Sequence, residues 1–199
     1  MSRFTSSLPP SYFEGQYASN GDPWQLATSD YERAKYTSTL AVLPRPRYAS
    51  AVEIGCSIGV LTRALAGCCD AILGLDVVEA ALEQARERNR DLAHVRFARA
   101  QVPGEWPSGT FDLIVLSEVV YFLDHGDVVR LVARVKDSLR PSGTVVLVHW
   151  TGLTHYPLSG DEAAEAFMAA GRAFLHPIHH AATEAYRLDV LDYEREGQA

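Results

Sequence analysis

Residues 51–76 constrain this chain more than any other stretch. Ala51-Val-Glu-Ile54 is short and largely apolar, which reads as a buried strand. It runs into Gly55-Cys-Ser-Ile-Gly59 and then into a helix over residues 60–66, with Leu61, Ala64 and Leu65 on one face. A second apolar strand, residues 71–75, ends at Asp76. Glycines at 55 and 59 let backbone turn sharply and approach a ligand closely. An acid closing the next strand can accept from both ribose hydroxyls of a bound nucleoside.

The rest of the pattern repeats this alternation. A charged helix is expected over 78–89, a third strand over 94–98 and a fourth over 111–116. Val128, Leu131, Val132, Val135 and Leu139 mark the inner face of a helix over 127–139. Pro141-Ser-Gly143 predicts a turn before a fifth strand over 144–149. Ser159-Gly-Asp-Glu162 reads as a capping box opening a helix to about residue 170. Residues 174–193 are expected to form a last pair of strands broken at Thr183. Alternating strands and helices predict an α/β fold: a Rossmann-like, mostly parallel seven-stranded sheet with helices on both faces. Runs such as Leu113-Ile-Val-Leu116 agree, because parallel strands are covered on both sides.

At the front, residues 1–22 are rich in Ser, Pro, Gly and Asn and are expected to be a mobile arm. A helix over about 23–42 follows, capped at Thr28, Ser29 or Asp30 and ended by Leu43-Pro-Arg-Pro-Arg47. Residues 23–199 are expected to be one domain, since 199 residues bury one core with little left for a second. A formal net charge of −7 argues against nucleic acid as a partner. No apolar run reaches membrane-spanning length, and the opening residues lack a secretory-leader pattern, so a cytoplasmic protein is expected. Cys56 and the adjacent Cys68 and Cys69 make poor material for a disulfide framework or a zinc site. His176, His179 and His180 cluster near the end, with no carboxylate at ligand spacing, so no metal is expected.

The loop does not fit a dinucleotide. Counting from Gly55, the second and third glycines of a G-x-G-x-x-G fingerprint would fall at Ser57 and Val60. An E-x-G-x-x-x-G loop without a diphosphate requirement suits S-adenosylmethionine (SAM). Glu53-Ile-Gly-Cys-Ser-Ile-Gly59, Asp76, Phe111-Asp-Leu-Ile-Val-Leu-Ser-Glu-Val-Val-Tyr121 and Leu139-Arg-Pro-Ser-Gly143 resemble, in order, the motifs of class I SAM-dependent methyltransferases. Asp22-Pro-Trp24, Tyr31-Glu-Arg33 and Tyr36 extend the resemblance to the nodulation protein S type of N-methyltransferase, which methylates the free amine of a deacetylated chitooligosaccharide.

The resemblance implies a cofactor site of Glu53, Gly55, Cys56, Ser57, Gly59, Asp76, Val77, Val102 and Ser117, with Trp24 and Tyr36 as a lid. The product would be S-adenosylhomocysteine (SAH). Such proteins carry an Asp after the third strand that binds the adenine amine; here Gln101 stands there, or Ala100 if the register is off by one. Glu118, Tyr121 and His149 are the candidate catalytic residues, and Tyr121, His149, Trp150, His155 and Tyr156 the candidate acceptor contacts. The implied function is methyl transfer to a small polar or oligosaccharide acceptor, with amine favoured over hydroxyl, by a monomer or homodimer. The alternative is a Rossmann-like module that holds SAM or SAH without catalysis.

Overall fold

The computed structural model describes residues 3–193. Five strands run parallel: β1 (Ala51–Ile54), β2 (Ile72–Asp76), β3 (Val95–Arg99), β4 (Phe111–Ser117) and β5 (Leu139–Trp150). Two more, β6 (Leu175–Ala182) and β7 (Tyr186–Tyr193), complete a sheet ordered β3-β2-β1-β4-β5-β7-β6. The sheet is mixed, because β7 runs antiparallel to both β5 and β6. For the β6–β7 pair the cause is the short link at residues 183–185. A connection that short joins antiparallel strands, whereas a parallel pair needs a long crossover.

Side chains on a strand alternate in direction, so each strand feeds two cores. Ile114 and Leu116 of β4 and Val145 and Leu147 of β5 pack on one face. There they meet Leu131 and Val135 of α5 (His125–Ser138) and Ala163 and Phe167 of α6 (Gly160–Gly171). Leu113, Val115, Val146 and Val148 pack on the other. There they meet Leu61 and Leu65 of α3 (Val60–Leu65) and Tyr36 of α2 (Asp30–Ala41). The remaining crossover helix is α4 (Glu79–Arg88), which buries Ala81, Leu82 and Ala85.

The caps follow the sequence. Ser29 accepts from the Glu32 N–H at the start of α2, and the Ser159–Glu162 capping box opens α6. Pro141-Ser-Gly143 does not end one element and start another: it lies inside β5 as an irregularity, with Ser142 at φ 59°. Leu139 pairs with Phe111, the register shifts, and pairing resumes between Thr144 and Leu113.

The front of the chain differs from the expected irregular arm. A helix, α1 (Pro10–Ser19), occupies half of it. Pro9-Pro10 suits a helix start, where the missing N–H would be unpaired anyway. Its sequence carries no apolar stripe; Tyr17 is its one buried residue and packs with Ile58, Val78 and Ala81. Tertiary contact holds this helix more than local propensity does. Among the described residues, no helix is long and apolar enough to cross a membrane.

Gly59, expected at the ligand, works elsewhere. It caps α3 at φ 74°, and a Cβ there would lie 2.7 Å from Asn89 Nδ2 and 2.9 Å from the Ala85 Cβ. Its role is to let α3 meet α4, where Asn89 donates to the Gly59 carbonyl at 3.1 Å. Gly59→Ala combines left-handed strain with overpacking. It is expected to cost about 2–4 kcal/mol in urea unfolding.

Candidate active site

The strand order reverses between β1 and β4, so the loops leaving them diverge and open a crevice at the carboxyl edge of the sheet. That crevice holds a cavity of about 680 Å³, within the usual range for small-molecule sites. Its walls come from the ends of β1, β2, β4 and β5, from the segments that follow β3 and β5, and from α1, α2, α3 and α5.

At one end lies the glycine loop. Gly55 sits at φ 78°, and a Cβ there would stand 3.2 Å from the Ser117 carbonyl oxygen. A larger residue would push the ends of β1 and β4 apart. Ser57 adopts φ 50°, rare for a residue with a side chain. Two bonds hold it: its N–H donates to Asp76 Oδ2 at 2.9 Å, and its hydroxyl meets the Tyr17 hydroxyl of α1. Asp76 Oδ1 accepts from the Val78 N–H at 2.9 Å. Burial lifts the Asp76 carboxyl above its usual range, against the backbone N–H groups of Val78, Ser57 and Val77. Glu53 is buried deeper, 1% exposed, and accepts one bond from the Thr62 hydroxyl. Burial pushes it up to about 8; the Thr62 bond opposes this and the Asp76 charge adds to it.

At the other end stands Glu118, at φ 56° directly after β4. Its Oε2 accepts from the Tyr121 hydroxyl at 2.5 Å and the Trp150 N–H at 2.9 Å. Its Oε1 accepts from Lys35, which also reaches Glu32 at 3.0 Å. The Lys35 side chain is 1% exposed and lies over the Tyr31 ring, 5.0 Å from its centroid. Aromatic rings close the wall. Tyr121 stacks on Tyr156 with centroids 5.2 Å apart, and Phe122 meets Phe13 of α1 edge-on at 4.7 Å. Burial, then the Glu118 charge, lifts the Tyr121 hydroxyl well above its ordinary value.

Most of the predicted site residues meet at this cavity. Trp24, Tyr36, Glu53, Gly55, Cys56, Ser57, Asp76, Val77, Gln101, Val102, Ser117, Glu118, Tyr121, Trp150 and Tyr156 all line it. Ala100 lines it as well, beside the exposed Gln101, whose N–H donates to Glu105 at 2.8 Å.

Three do not. Gly59 packs α3 on α4, as above. His149 is wholly buried behind Tyr121, with ring centroids 5.3 Å apart. Its Nε2 accepts from the Val120 N–H at 3.2 Å. Burial pulls it down to about 4, so the ring is neutral near physiological pH. Gly160, at the start of α6, covers it from the other side; a Cβ there would touch the His149 Cβ at 3.2 Å. His155 is exposed, and its carbonyl accepts from the Phe4 N–H at 2.9 Å, tying down the front of the chain. His176, His179 and His180 lie on β6, the last strand of the sheet, and none lines the cavity.

The sequence gives no site role to Lys35, Phe13 or Tyr17, and names Tyr31 and Glu32 only as part of the family resemblance. A signal existed for three of them. Glu32, Lys35 and Tyr36 share one helix face by i,i+3 and i,i+4 spacing, and Tyr31 is one turn from Lys35.

Known proteins share this fold and sequence pattern. A model of the family described as nodulation protein S (NodS) matches residues 15–148. Nodulation protein S of Bradyrhizobium diazoefficiens is 34% identical over 129 residues, 63% of this chain and 61% of the relative. The chain thus spans about three-fifths of that relative's length. A crystal structure of a putative methyltransferase from Pseudomonas syringae is 36% identical with a TM-score of 0.72, covering 81% of this chain and 98% of that one. The N-methyltransferase NodS from Bradyrhizobium japonicum WM9, in complex with SAH, superposes with a TM-score of 0.81 at 24% identity, covering 93% and 98%. With the family match running through α2, the glycine loop, Asp76 and Glu118, the chain belongs to the nodulation protein S family.

Proposed function

We propose that this chain transfers a methyl group from SAM to the amine nitrogen of a small polar acceptor. One observation carries the reading. One cavity has a glycine loop with a buried and a half-buried carboxylate at one end, and a fixed carboxylate ringed by aromatics at the other. The family's N-methyltransferase member supports nitrogen over oxygen. Within this reading an amino sugar is the finer choice, by the family resemblance.

The residues fit the cofactor. A carboxylate has about four acceptor positions, and backbone N–H groups of Ser57, Val78 and Val77 approach Asp76 from the loop side. The acceptor capacity that remains faces the cavity, where it can take the ribose hydroxyls. Gly55 lets the loop pack close against Ser117 and Val119 at the cavity edge, and Glu53 offers an acid to the cofactor's amino group. Gln101 can accept from an adenine amine through its amide oxygen.

SAM, when bound, supplies a methyl already activated by a sulfonium centre, so the protein's work is to orient the acceptor and exclude water. Glu118 does the first. Lys35, Tyr121 and the Trp150 N–H fill three of its acceptor positions. The remaining one takes a hydrogen bond from the acceptor amine and turns the nitrogen lone pair toward the methyl. Tyr31, Tyr121, Phe122 and Tyr156 surround that point and keep it dry. The amine must attack neutral, and its surplus proton passes to Glu118 or to water. His149, neutral and shut behind Tyr121, takes no part.

Glu118→Gln tests this. Turnover with glucosamine oligomers is expected to fall by about a hundredfold or more, while SAH affinity stays within about threefold. Unchanged turnover would remove Glu118 from the mechanism.

A further inference from the structure

Of the two acids at the glycine loop, Glu53 is the more deeply buried. Glu53 lies at the end of β1, 1% exposed, and lines the cavity. Four groups face it from the elements around it. They are Thr62 of α3, Tyr36 of α2, Cys56 of the loop and Asp76 of β2. These offer one hydrogen bond, two neutral groups and a second acid, but no cation. The ammonium of α2, Lys35, is committed to Glu32 and Glu118 at the other end of the cavity. An ionised carboxylate buried without a counter-charge is costly, and such a group keeps its proton instead.

We infer that Glu53 is a neutral carboxylic acid in the cofactor-free protein and gives up its proton as the cofactor's ammonium group arrives, so that cofactor binding and proton release are one event. The inference rests on the SAM reading above. The methionyl end of SAM carries the cation that the loop lacks, and SAH keeps that ammonium. The acid and ammonium become a carboxylate–ammonium pair, and one proton passes to the buffer. No bond to carbon or sulfur changes. The upward displacement of Glu53, to about 8, places the exchange at neutral pH.

The sign follows from linkage. The free protein holds the proton more tightly than the complex does. Between the two titration points, affinity therefore rises with pH, by up to about tenfold per pH unit. It levels off above about 8, where free Glu53 has already ionised.

The test is calorimetric titration with SAH at about pH 7 in phosphate and in Tris, buffers of very different ionisation enthalpy. The difference in heat should correspond to roughly one proton released per SAH bound. Glu53→Gln keeps the shape and mimics the neutral acid, so it folds; its heats should coincide in the two buffers. Equal heats for the unaltered protein, with SAH bound, would overturn the inference and leave the cofactor reading intact. So would a proton release that persists in Glu53→Gln. Failure of SAH to bind at all would overturn both.

Discussion

Replacing Lys35 with methionine is expected to lower the stability of the fold by about 3–5 kcal/mol. The ammonium sits between Glu32 and Glu118 with 1% of its side chain exposed, while those carboxylates are 9% and 21% exposed. Methionine fills most of the volume and removes the charge. Two acids are then left facing each other, largely out of water, with no cation. Breaking a buried pair from one side costs far more than exchanging the whole pair for apolar groups. A loss of this size is a large share of the ~5–15 kcal/mol that holds a domain together. Urea unfolding followed by circular dichroism measures it. The double variant Lys35→Met, Glu32→Gln should recover a substantial part, because one of the stranded charges is gone. A single variant within about 1 kcal/mol of the parent would show that water screens this cluster.

The second large effect concerns Asp76. Asp76→Ala is expected to weaken SAH binding by about a hundredfold. Two charge-assisted hydrogen bonds to a ribose, at about 1.5 kcal/mol or more each, amount to that factor. The loss has a second source in the protein itself. Asp76 pins Ser57 in its left-handed conformation, and without that bond the glycine loop relaxes. Asp76→Asn keeps one oxygen for the loop and should fall between the two. Calorimetry with SAH reads both variants, and undiminished affinity in Asp76→Ala would remove this residue from the cofactor site.

Much of the fold is legible in the sequence because its signals are local. The β1–loop–α3–β2 unit, the apolar stripe of α5 and the capping box of α6 each announce themselves within a dozen residues. The residues missed depend on contacts distant in sequence. α1 has no apolar stripe and forms because Tyr17 finds Ser57, Ile58 and Ala81 across the molecule. Lys35 reads as a surface residue, since lysine is almost never fully buried unless paired. Its partner Glu118 lies 83 residues away, so nothing local reveals the pairing.

His149 shows a different limit. Its place at the end of β5 is readable, but the face of the sheet it turns to and what covers that face are not. Gly160 and Tyr121 close over it, and a histidine expected at the cavity becomes part of the wall's backing. Gly59 is similar. The sequence marks it as a point where the backbone needs a glycine, but α4 supplies the reason, through Ala85 and Asn89.

The most direct test of the account is to follow the methyl group itself. The purified protein is incubated with methyl-labelled SAM and a panel of small primary amines, beginning with glucosamine oligomers, and the products are resolved by mass spectrometry. The account predicts label on the amine nitrogen of at least one acceptor, lost when Glu118 is replaced by glutamine. Protein that binds SAH yet leaves the label on SAM with every acceptor would contradict it, and would make this cavity a holder of the cofactor with no reaction to perform.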